Sequence, residues 1–175
     1  MKIICISGKA QHGKDTLACM IKEKTRTLGY RTLIAHYGDL VKYVCKAFFD
    51  WNGEKDEEGR TLLQLVGTNI VREKDPDYWV KFIKEMLTFF NNKWDFVIIP
   101  DCRFPNEIEV IRDTKQTVYA CRIERPCFSN GLTEEQQRHL SEIALDDYCF
   151  DFYVVNNSDL VALEQKAKDV LEAIL

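Results

Sequence analysis

The chain reads Gly8-Lys9-Ala10-Gln11-His12-Gly13-Lys14-Asp15-Thr16 directly after the apolar run Ile3-Ile4-Cys5-Ile6. The apolar run predicts a buried strand, and the apolar spacing that begins at Leu17 predicts a helix. A strand, a glycine-flanked loop, a lysine and a helix in this order are typical of a phosphate-binding P-loop. The alternative is a glycine turn that joins the first strand to the first helix of an ordinary α/β domain.

This loop has the chemistry that a nucleotide phosphate tail requires. Gly8 and Gly13 let the backbone curl so that several N–H groups converge, and the following helix directs its positive end at the same point. Lys14 adds a cation that reaches the β- and γ-phosphates. We therefore predict that all nine quoted residues bind the nucleotide. Asp15 stands where the strict motif has Ser or Thr to hold Mg²⁺, and Thr16 supplies a hydroxyl next to it, so both are candidate metal ligands.

Composition restricts the class of protein. The chain has 175 residues, of which 46% are hydrophobic and 30% charged, and its net charge is −4. These values favour a single globular domain over residues 1–175 with a full hydrophobic core. Because the chain is acidic and lacks a basic aromatic groove, we expect no nucleic acid partner.

The sequence also bears on the compartment. The first residues lack the flanks of a signal peptide, and no apolar run approaches the length that spans a membrane, so we expect no membrane association. The seven cysteines are an odd number and include no Cys-x-x-Cys pair. Reduced thiols in a cytoplasmic protein are the expectation.

Strand-like and helix-like segments alternate, which predicts an α/β fold with a parallel sheet. The predicted strands are 2–7, 31–36, 95–100, 117–122 and 151–155, and the predicted helices are 14–28, 39–50, 60–73, 76–91, 105–113, 133–147 and 159–174. Ligands of such sheets bind beyond the carboxyl ends of the strands. We therefore expect residues 37–92, which follow the second strand, to bind the phosphoryl acceptor. Residues 124–140, which follow the fourth strand, are expected to form a lid.

Three predicted helices begin with capping signals. Asp75 precedes Pro76, which predicts a capped helix with proline at its first position. Thr133 and Gln136 have the spacing of a capping box. Ser158 is the predicted cap of the last helix.

The expected acceptor site lies on the inserted segment. Asp39 and Lys42 follow the second strand and are candidates for the acceptor's sugar and phosphate; a helix cap and a solvated lysine are the alternative. A polar stripe recurs every four residues in the next helix, with no carboxylate in it: Arg60, Gln64, Thr68 and Arg72. Arginine matches phosphate and glutamine reads a base edge, so we expect this stripe to bind the acceptor instead of facing solvent.

Aromatic residues follow the stripe. Trp79 is a candidate for stacking on a base, although Trp79, Phe82, Ile83, Met86 and Phe90 first indicate the core face of a helix.

The predicted catalytic residues are cations. Arg103 follows the third strand and is placed to hold the transferred phosphoryl group, and Asp101 is placed to orient Mg²⁺ or its waters. An ion pair between Asp101 and Arg103 is the alternative. Arg125 and Arg138 are candidates to arrive with the lid, where they would stabilise charge on the transferring group together with Lys14.

With these residues assembled, the chain resembles the deoxynucleoside monophosphate kinases of phages and bacteria, within the P-loop nucleoside monophosphate kinase group. The resemblance runs nearly end to end. It is carried by Gly13-Lys14-Asp15-Thr16, Gly38-Asp39 with Lys42, Leu63-Gln64 with Gly67-Thr68 and Arg72, Trp79, Asp101-x-Arg103-Phe104-Pro105-Asn106-Glu107, His139-x-Ser141-Glu142, Asp151 and Asn156.

The resemblance implies a three-layer P-loop fold with a five-stranded parallel sheet of order 2-3-1-4-5. It also implies ATP-dependent conversion of a deoxynucleoside monophosphate to its diphosphate, with Mg²⁺. The expected partners are small-molecule nucleotides, and a homodimer is left open.

Two other functions are compatible with the sequence. One is a P-loop kinase of another small metabolite, such as phosphomevalonate or dephospho-coenzyme A, which would have no use for Gln64 or for a stacking residue near Trp79. The other is a non-catalytic nucleotide-binding module, for which Asp15 leaves room.

Overall fold

A five-stranded parallel sheet forms the centre of the molecule. The computed structural model describes residues 1–175. The strands are β1 (Lys2–Ser7), β2 (Thr32–Ile34), β3 (Phe96–Cys102), β4 (Thr117–Glu124) and β5 (Phe152–Val155). Their spatial order is β2-β3-β1-β4-β5, as the resemblance implies. The central strand β1 pairs with β3 and β4, so Ile4 lies between Ile98 and Tyr119.

Helices cover both faces of the sheet, which makes three layers. They are α1 (Lys14–Thr27), α2 (Gly38–Phe48), α3 (Glu57–Gln64), α4 (Val71–Lys74), α5 (Tyr78–Phe89), α6 (Pro105–Arg112), α7 (Glu134–Arg138), α8 (Leu140–Ile143) and α9 (Leu160–Ile174). A π-helical segment, Leu65–Ile70, joins α3 to α4.

Successive side chains of β1 point to opposite faces of the sheet and so belong to different core clusters. Ile4 and Ile6 pack with residues of α1 and α9. Ile3 and Cys5 pack with residues of α5 and α6. Because both faces are covered, β1 and β3 are continuous apolar runs, as buried parallel strands require. A small third cluster, Cys45, Trp51 and Val66, gives the inserted segment its own core.

Some helix boundaries differ from the sequence prediction. Helix α5 begins at Tyr78, and the Asp75 carboxylate accepts from the Asp77 amide, so the predicted cap at Asp75–Pro76 is wrong. The last helix is capped by Asp159, whose Oδ1 accepts from the Ala162 amide at 2.9 Å, and not by Ser158. The capping box of Thr133 is confirmed, since its Oγ1 accepts from the Gln136 amide at 3.2 Å.

Two of the predicted core positions, one on α5 and one at its C-cap, are also wrong. Phe82 and Phe90 are 43% and 50% exposed, whereas Trp79 and Ile83 are buried. The buried residues of α5 are Trp79, Val80, Ile83 and Leu87, which form one face at helical spacing. All seven cysteines are unpaired; four are buried, and Cys19, Cys127 and Cys149 are exposed. No helix combines the length and the apolar character that crossing a bilayer demands.

Candidate active site

The loop between β1 and α1 has the geometry of a phosphate-binding loop. Gly13 has φ +100° and Gln11 has φ +61°, so the chain turns through left-handed conformations before the helix begins. The Lys14 Nζ donates to the carbonyl oxygens of Gly8 and Lys9, each at 2.8 Å. These bonds keep the ammonium folded back over the loop, at the helix end that attracts anions.

A cavity of about 550 Å³ lies beside this loop, at the carboxyl ends of β1 and β3. Its volume is in the usual range for small-ligand sites. Most of the residues predicted from sequence line it: Ala10, Gln11, Lys14, Asp15, Lys42, Arg60, Gln64, Thr68, Arg72, Trp79, Asp101 and Arg103. The phosphate loop and the polar stripe therefore face a common space.

Other predicted site residues lie outside the cavity lining. Gly8 and Gly13 have positive φ angles that form the loop, and neither lines the cavity. The Lys9 Nζ donates to the Asp146 carboxylate and to the Glu142 carbonyl oxygen, so this lysine fastens the loop to α8 and the turn that follows it. Thr16 is exposed, and Asp39 pairs with Lys42 at 2.7 Å.

The two arginines predicted to arrive with the lid also lie away from the cavity. The Arg125 guanidinium stacks 4.0 Å from the Phe128 ring. The amide of Arg125 donates to the His12 Nδ1 at 3.1 Å, which joins segment 124–140 to the loop after β1. The Arg138 side chain is 81% exposed and pairs with Glu134. Their catalytic assignment stays a prediction.

The polar stripe faces the cavity because the helix that carries it changes its winding. In a regular α-helix, three steps of four residues turn the side chains about 120° away from their starting direction. The π-helical segment has more residues per turn, so it reduces this drift between Gln64 and Arg72. All four members of the stripe consequently reach the same cavity, although the continuous helix predicted over 60–73 is not formed.

Arg72 is neutralised by a carboxylate that the sequence pattern did not reveal. It is buried and forms an ion pair with Glu107 at the start of α6. Its Nη1 donates to the Pro76 carbonyl oxygen at 2.9 Å, and its guanidinium lies 4.2 Å from the Phe104 ring. The Glu107 carboxylate also accepts from the Phe104 amide at 3.0 Å. Glu107 is therefore the buried ion-pair partner of Arg72 and also caps the start of α6.

Trp79 lines the cavity as a buried residue of the core. It is 2% exposed, and its Nε1 donates to the Gly67 carbonyl oxygen at 2.9 Å. That carbonyl lies inside the π-helical segment, where helical bonding is irregular. Trp79 thus belongs to the core face of α5 and also lines the cavity.

Two carboxylates beside the loop could hold a metal ion. The Asp101 Oδ1 and Oδ2 accept from the amides of Tyr37 and Gly38 at 3.1 and 2.8 Å, and burial raises the pKa of Asp101. Asp15 accepts from His36 Nε2 at 2.9 Å; this hydrogen bond lowers the pKa of Asp15 and raises the pKa of His36. No three His, Cys, Asp or Glu residues converge into a metal cluster.

The donor set nevertheless suits Mg²⁺. This ion usually takes one or two protein carboxylates and completes its shell with water and phosphate oxygens. Asp15 and Asp101 both line the cavity, so they fit this role. Thr16 lies outside the lining, and its assignment as a metal ligand stays a prediction.

The electrostatics of the cavity centre on Lys14. Burial, and then the nearby Arg103 guanidinium, lower the pKa of Lys14 to about 7. Glu142, Asp15 and Asp101 act in the opposite direction. A bound phosphate would add negative charge at this point and favour the ammonium form.

Several further residues line the cavity although the sequence predicts no role for them. Lys55 adds a cation at the cavity mouth, and Val41, Leu63, Phe104 and Leu132 add apolar surface. Glu142 is 9% exposed, and its carboxylate contacts both Arg103 and the Ala10 amide. The late His-x-Ser-Glu sequence was the only signal for Glu142, and nothing local in the sequence places it against the loop.

Residues 124–140, the predicted lid, are docked on residues 37–92. Gln136 of α7 is buried, and its Nε2 donates to the Glu57 carbonyl oxygen at 3.2 Å and to the Thr61 Oγ1 at 3.3 Å. His139 Nε2 lies 3.0 Å from the Asn69 Oδ1. The cavity is therefore bounded by the loop after β1, by residues of segment 37–92 and by Leu132 of segment 124–140.

The chain is similar to known proteins in sequence and in fold. Residues 39–167 match the family model of deoxynucleotide monophosphate kinase. The deoxynucleotide monophosphate kinase of Enterobacteria phage T4 is 32% identical over 117 residues, which are 66% of this chain and 46% of that protein. The enzyme of the same name from Escherichia phage RB69 is 28% identical over 114 residues, 64% of this chain and 44% of that protein. The chain thus spans less than half the length of these relatives.

The fold recurs in more distant kinases. The APS kinase CysC of Mycobacterium tuberculosis, in complex with AMPPNP and APS, superimposes with a TM-score of 0.60 at 12% identity, over 99% of this chain and 96% of that one. At this identity the likeness concerns the fold alone. The family match over residues 39–167 covers more than half of the chain, including strands β3 to β5, and on that ground the chain belongs to the deoxynucleotide monophosphate kinase family.

Proposed function

We propose that the protein transfers the terminal phosphoryl group of ATP to a deoxynucleoside monophosphate and so forms the diphosphate. The observation that carries the proposal is the cavity in which the phosphate loop faces the polar stripe of α3 and α4. A transfer enzyme needs both substrates in one dry space with their phosphates in line. Membership of the family, and the names of the two phage relatives, support the same reaction.

In the proposed reaction, an oxygen of the acceptor phosphate attacks the γ-phosphorus of ATP. The bond from that phosphorus to the β–γ bridging oxygen breaks, and ADP leaves. The loop amides and Lys14 hold the donor phosphates, while Arg60 and Arg72 hold the acceptor phosphate. Arg103, which lies next to Lys14, stabilises the charge that spreads over the transferring group.

The remaining assignments are part of the same proposal. Residues 37–92 bind the acceptor, and residues 124–140 close over the site and exclude water. Arg125 and Arg138 would approach the phosphates only if the lid moves further than its present position. Mg²⁺ held by Asp15 and Asp101 would neutralise phosphate charge. The unpaired thiols favour a reducing compartment such as the cytoplasm.

The test is a panel of acceptors with ATP and Mg²⁺, followed by chromatography of the products. The panel holds the deoxynucleoside and ribonucleoside monophosphates, phosphomevalonate and dephospho-coenzyme A. We expect ADP and a deoxynucleoside diphosphate in equal amounts. Transfer only to phosphomevalonate or only to dephospho-coenzyme A would assign the protein to another class of small-molecule kinase. ATP binding without transfer to any acceptor would mean a non-catalytic module.

A further inference from the structure

A buried carboxylate lies between the phosphate loop and the catalytic arginine. Glu142 belongs to the short helix α8 and is 9% exposed. Its Oε1 accepts from the Arg103 Nη1 at 2.5 Å, and its Oε2 accepts from the Ala10 amide at 3.1 Å. One carboxylate therefore joins the end of β3 to the loop that follows β1.

The contacts leave part of Arg103 free. Its Nη1 makes both of its hydrogen bonds within the chain, to Glu142 and to the Ser141 carbonyl oxygen at 3.4 Å. Its Nε and Nη2 donate to no protein group, and the side chain lines the cavity. A planar guanidinium that is anchored by one edge presents its other donors in a defined direction, which suits the binding of a phosphate oxygen.

The positive charges of Arg103 and Lys14 explain why a carboxylate lies between Arg103 and the loop. Arg103 and Lys14 are like charges close together in a partly buried site, and their repulsion would drive the flexible guanidinium towards solvent. An anion between Arg103 and the loop offsets this repulsion. Glu142 is itself held, because its carbonyl oxygen accepts from the Lys9 Nζ at 2.6 Å.

We infer that Glu142 is a positioning residue that holds Arg103 against the phosphate loop for phosphoryl transfer. The inference rests on the proposed function. Glu142 acts through Arg103 and stays hydrogen-bonded to it while the phosphates bind the free edge of the guanidinium. Loss of the carboxylate charge leaves Arg103 in the protein but not in the orientation that transfer needs. A misplacement of this kind lowers kcat more than it weakens acceptor binding.

The experiment is a double-mutant cycle with Glu142→Gln and Arg103→Ala. In the otherwise wild-type enzyme, we expect Glu142→Gln to lower kcat by about ten- to a hundredfold while the acceptor KM changes by less than about twofold. In the Arg103→Ala background, the same substitution should change kcat by less than about twofold, because the residue through which it acts is absent. Glu142→Asp, which keeps the charge on a shorter side chain, should restore part of kcat.

A matched control is Asp146→Asn. Asp146 pairs with Lys9 and Arg122 and makes no contact with Arg103. Its effect should therefore be the same with and without Arg103. Thermal unfolding of each variant shows whether it is folded. If Glu142→Gln is not folded, Glu142→Asp replaces it in the double-mutant cycle.

Three outcomes would overturn the inference. One is that Glu142→Gln lowers kcat by the same factor with and without Arg103, which would mean that the two residues act independently. Another is that Glu142→Gln raises the acceptor KM and leaves kcat unchanged. A wild-type protein that transfers no phosphoryl group would refute the proposed function and this inference together. The first two outcomes, in an active enzyme, refute the inference alone.

Discussion

At the scale of single residues, Lys14 shows how burial prepares a group for its ligand. Its ammonium is 7% exposed and bonded only to backbone carbonyl oxygens of the loop. With a pKa of about 7, it is only partly protonated near neutral pH in the free protein. A triphosphate placed beside it favours the charged form and raises that pKa.

The affinity for ATP should therefore depend on pH. Between the free and the bound pKa, the complex holds one more proton than the free protein, so affinity falls as pH rises above 7. The slope should approach about tenfold per pH unit from about pH 7.5 to about 9. Calorimetric titration with a non-hydrolysable ATP analogue measures it. Lys14→Arg is the control, because its guanidinium stays charged. An affinity that is flat over this range in the wild type contradicts the prediction.

Gly8 is a second residue whose identity is required by its surroundings. Its φ is +156°, and a Cβ built on it would lie 2.3 Å from the Ile123 carbonyl oxygen in β4. That oxygen belongs to the backbone of a central strand, so it cannot move aside without disturbing the sheet.

Gly8→Ala should consequently lower the free energy of unfolding by about 3 kcal/mol or more, which is the range of severe overpacking and backbone strain. Urea denaturation measures the loss. Gly29→Ala is the matched control, since Gly29 has φ +85° but nothing within 4 Å of its added Cβ. It should cost only about 1–2 kcal/mol from the left-handed backbone. Equal losses in the two variants would show that contact with Ile123 is unimportant.

At the scale of elements, the helical stretch from α3 through the π-helical segment to α4 is the feature that local rules describe least well. The four-residue period of the stripe indicates a helical face, but a regular helix would rotate Arg72 away from Arg60. The winding that corrects this is set by tertiary contacts of the π-helical segment. The Trp79 Nε1 bonds to the Gly67 carbonyl oxygen, and Val66 packs with Cys45 and Trp51.

Helix α7, in the segment predicted to be the lid, is docked on α3 chiefly through the buried side chain of Gln136. Gln136→Ala removes two hydrogen bonds to α3 and one bond of the capping box. A loss of about 1 kcal/mol in closure should raise the acceptor KM roughly fivefold. Steady-state kinetics with varied acceptor measure this change. Glu135→Ala alters the exposed neighbouring residue and should leave the KM unchanged. A normal KM in Gln136→Ala would mean that the amide does not hold the lid.

At the scale of the whole molecule, a buried ion pair joins segment 37–92 to a helix that packs on the sheet. Arg72 follows the π-helical segment, while Glu107 belongs to α6, which packs on the central sheet. The Asn106 Nδ2 strengthens the junction, because it donates to the Pro76 carbonyl oxygen at 2.8 Å. The position of the stripe relative to the phosphate loop therefore depends on this junction.

Arg72→Met should destabilise the protein strongly, because it leaves the Glu107 carboxylate buried without its partner. We expect a loss of about 3–5 kcal/mol in the free energy of unfolding, measured by urea denaturation. Lys81→Met is the control. It breaks the exposed pair with Asp75, so it should cost less than about 1 kcal/mol. A small effect of Arg72→Met would show that the pair contributes little to the junction.

The sequence by itself determined the P-loop, the alternation of strands and helices, and the family to which the chain belongs. These features are local: a glycine needs a particular φ, a strand buried on both faces needs a continuous apolar run, and a motif keeps its spacing along the chain. The polar stripe was recognisable for the same reason, since its members recur at a fixed interval.

Only the tertiary structure decided which charges are paired and which remain available. Glu107 and Glu142 lie 35 and 39 residues from the arginines they bind, and no period in the sequence relates them. The strand order brings the ends of β1 and β3 together, and packing then places α4, α6 and α8 around them. Because an ion pair depends on distance in space and on burial, the roles of these two carboxylates follow from the fold and not from the motif.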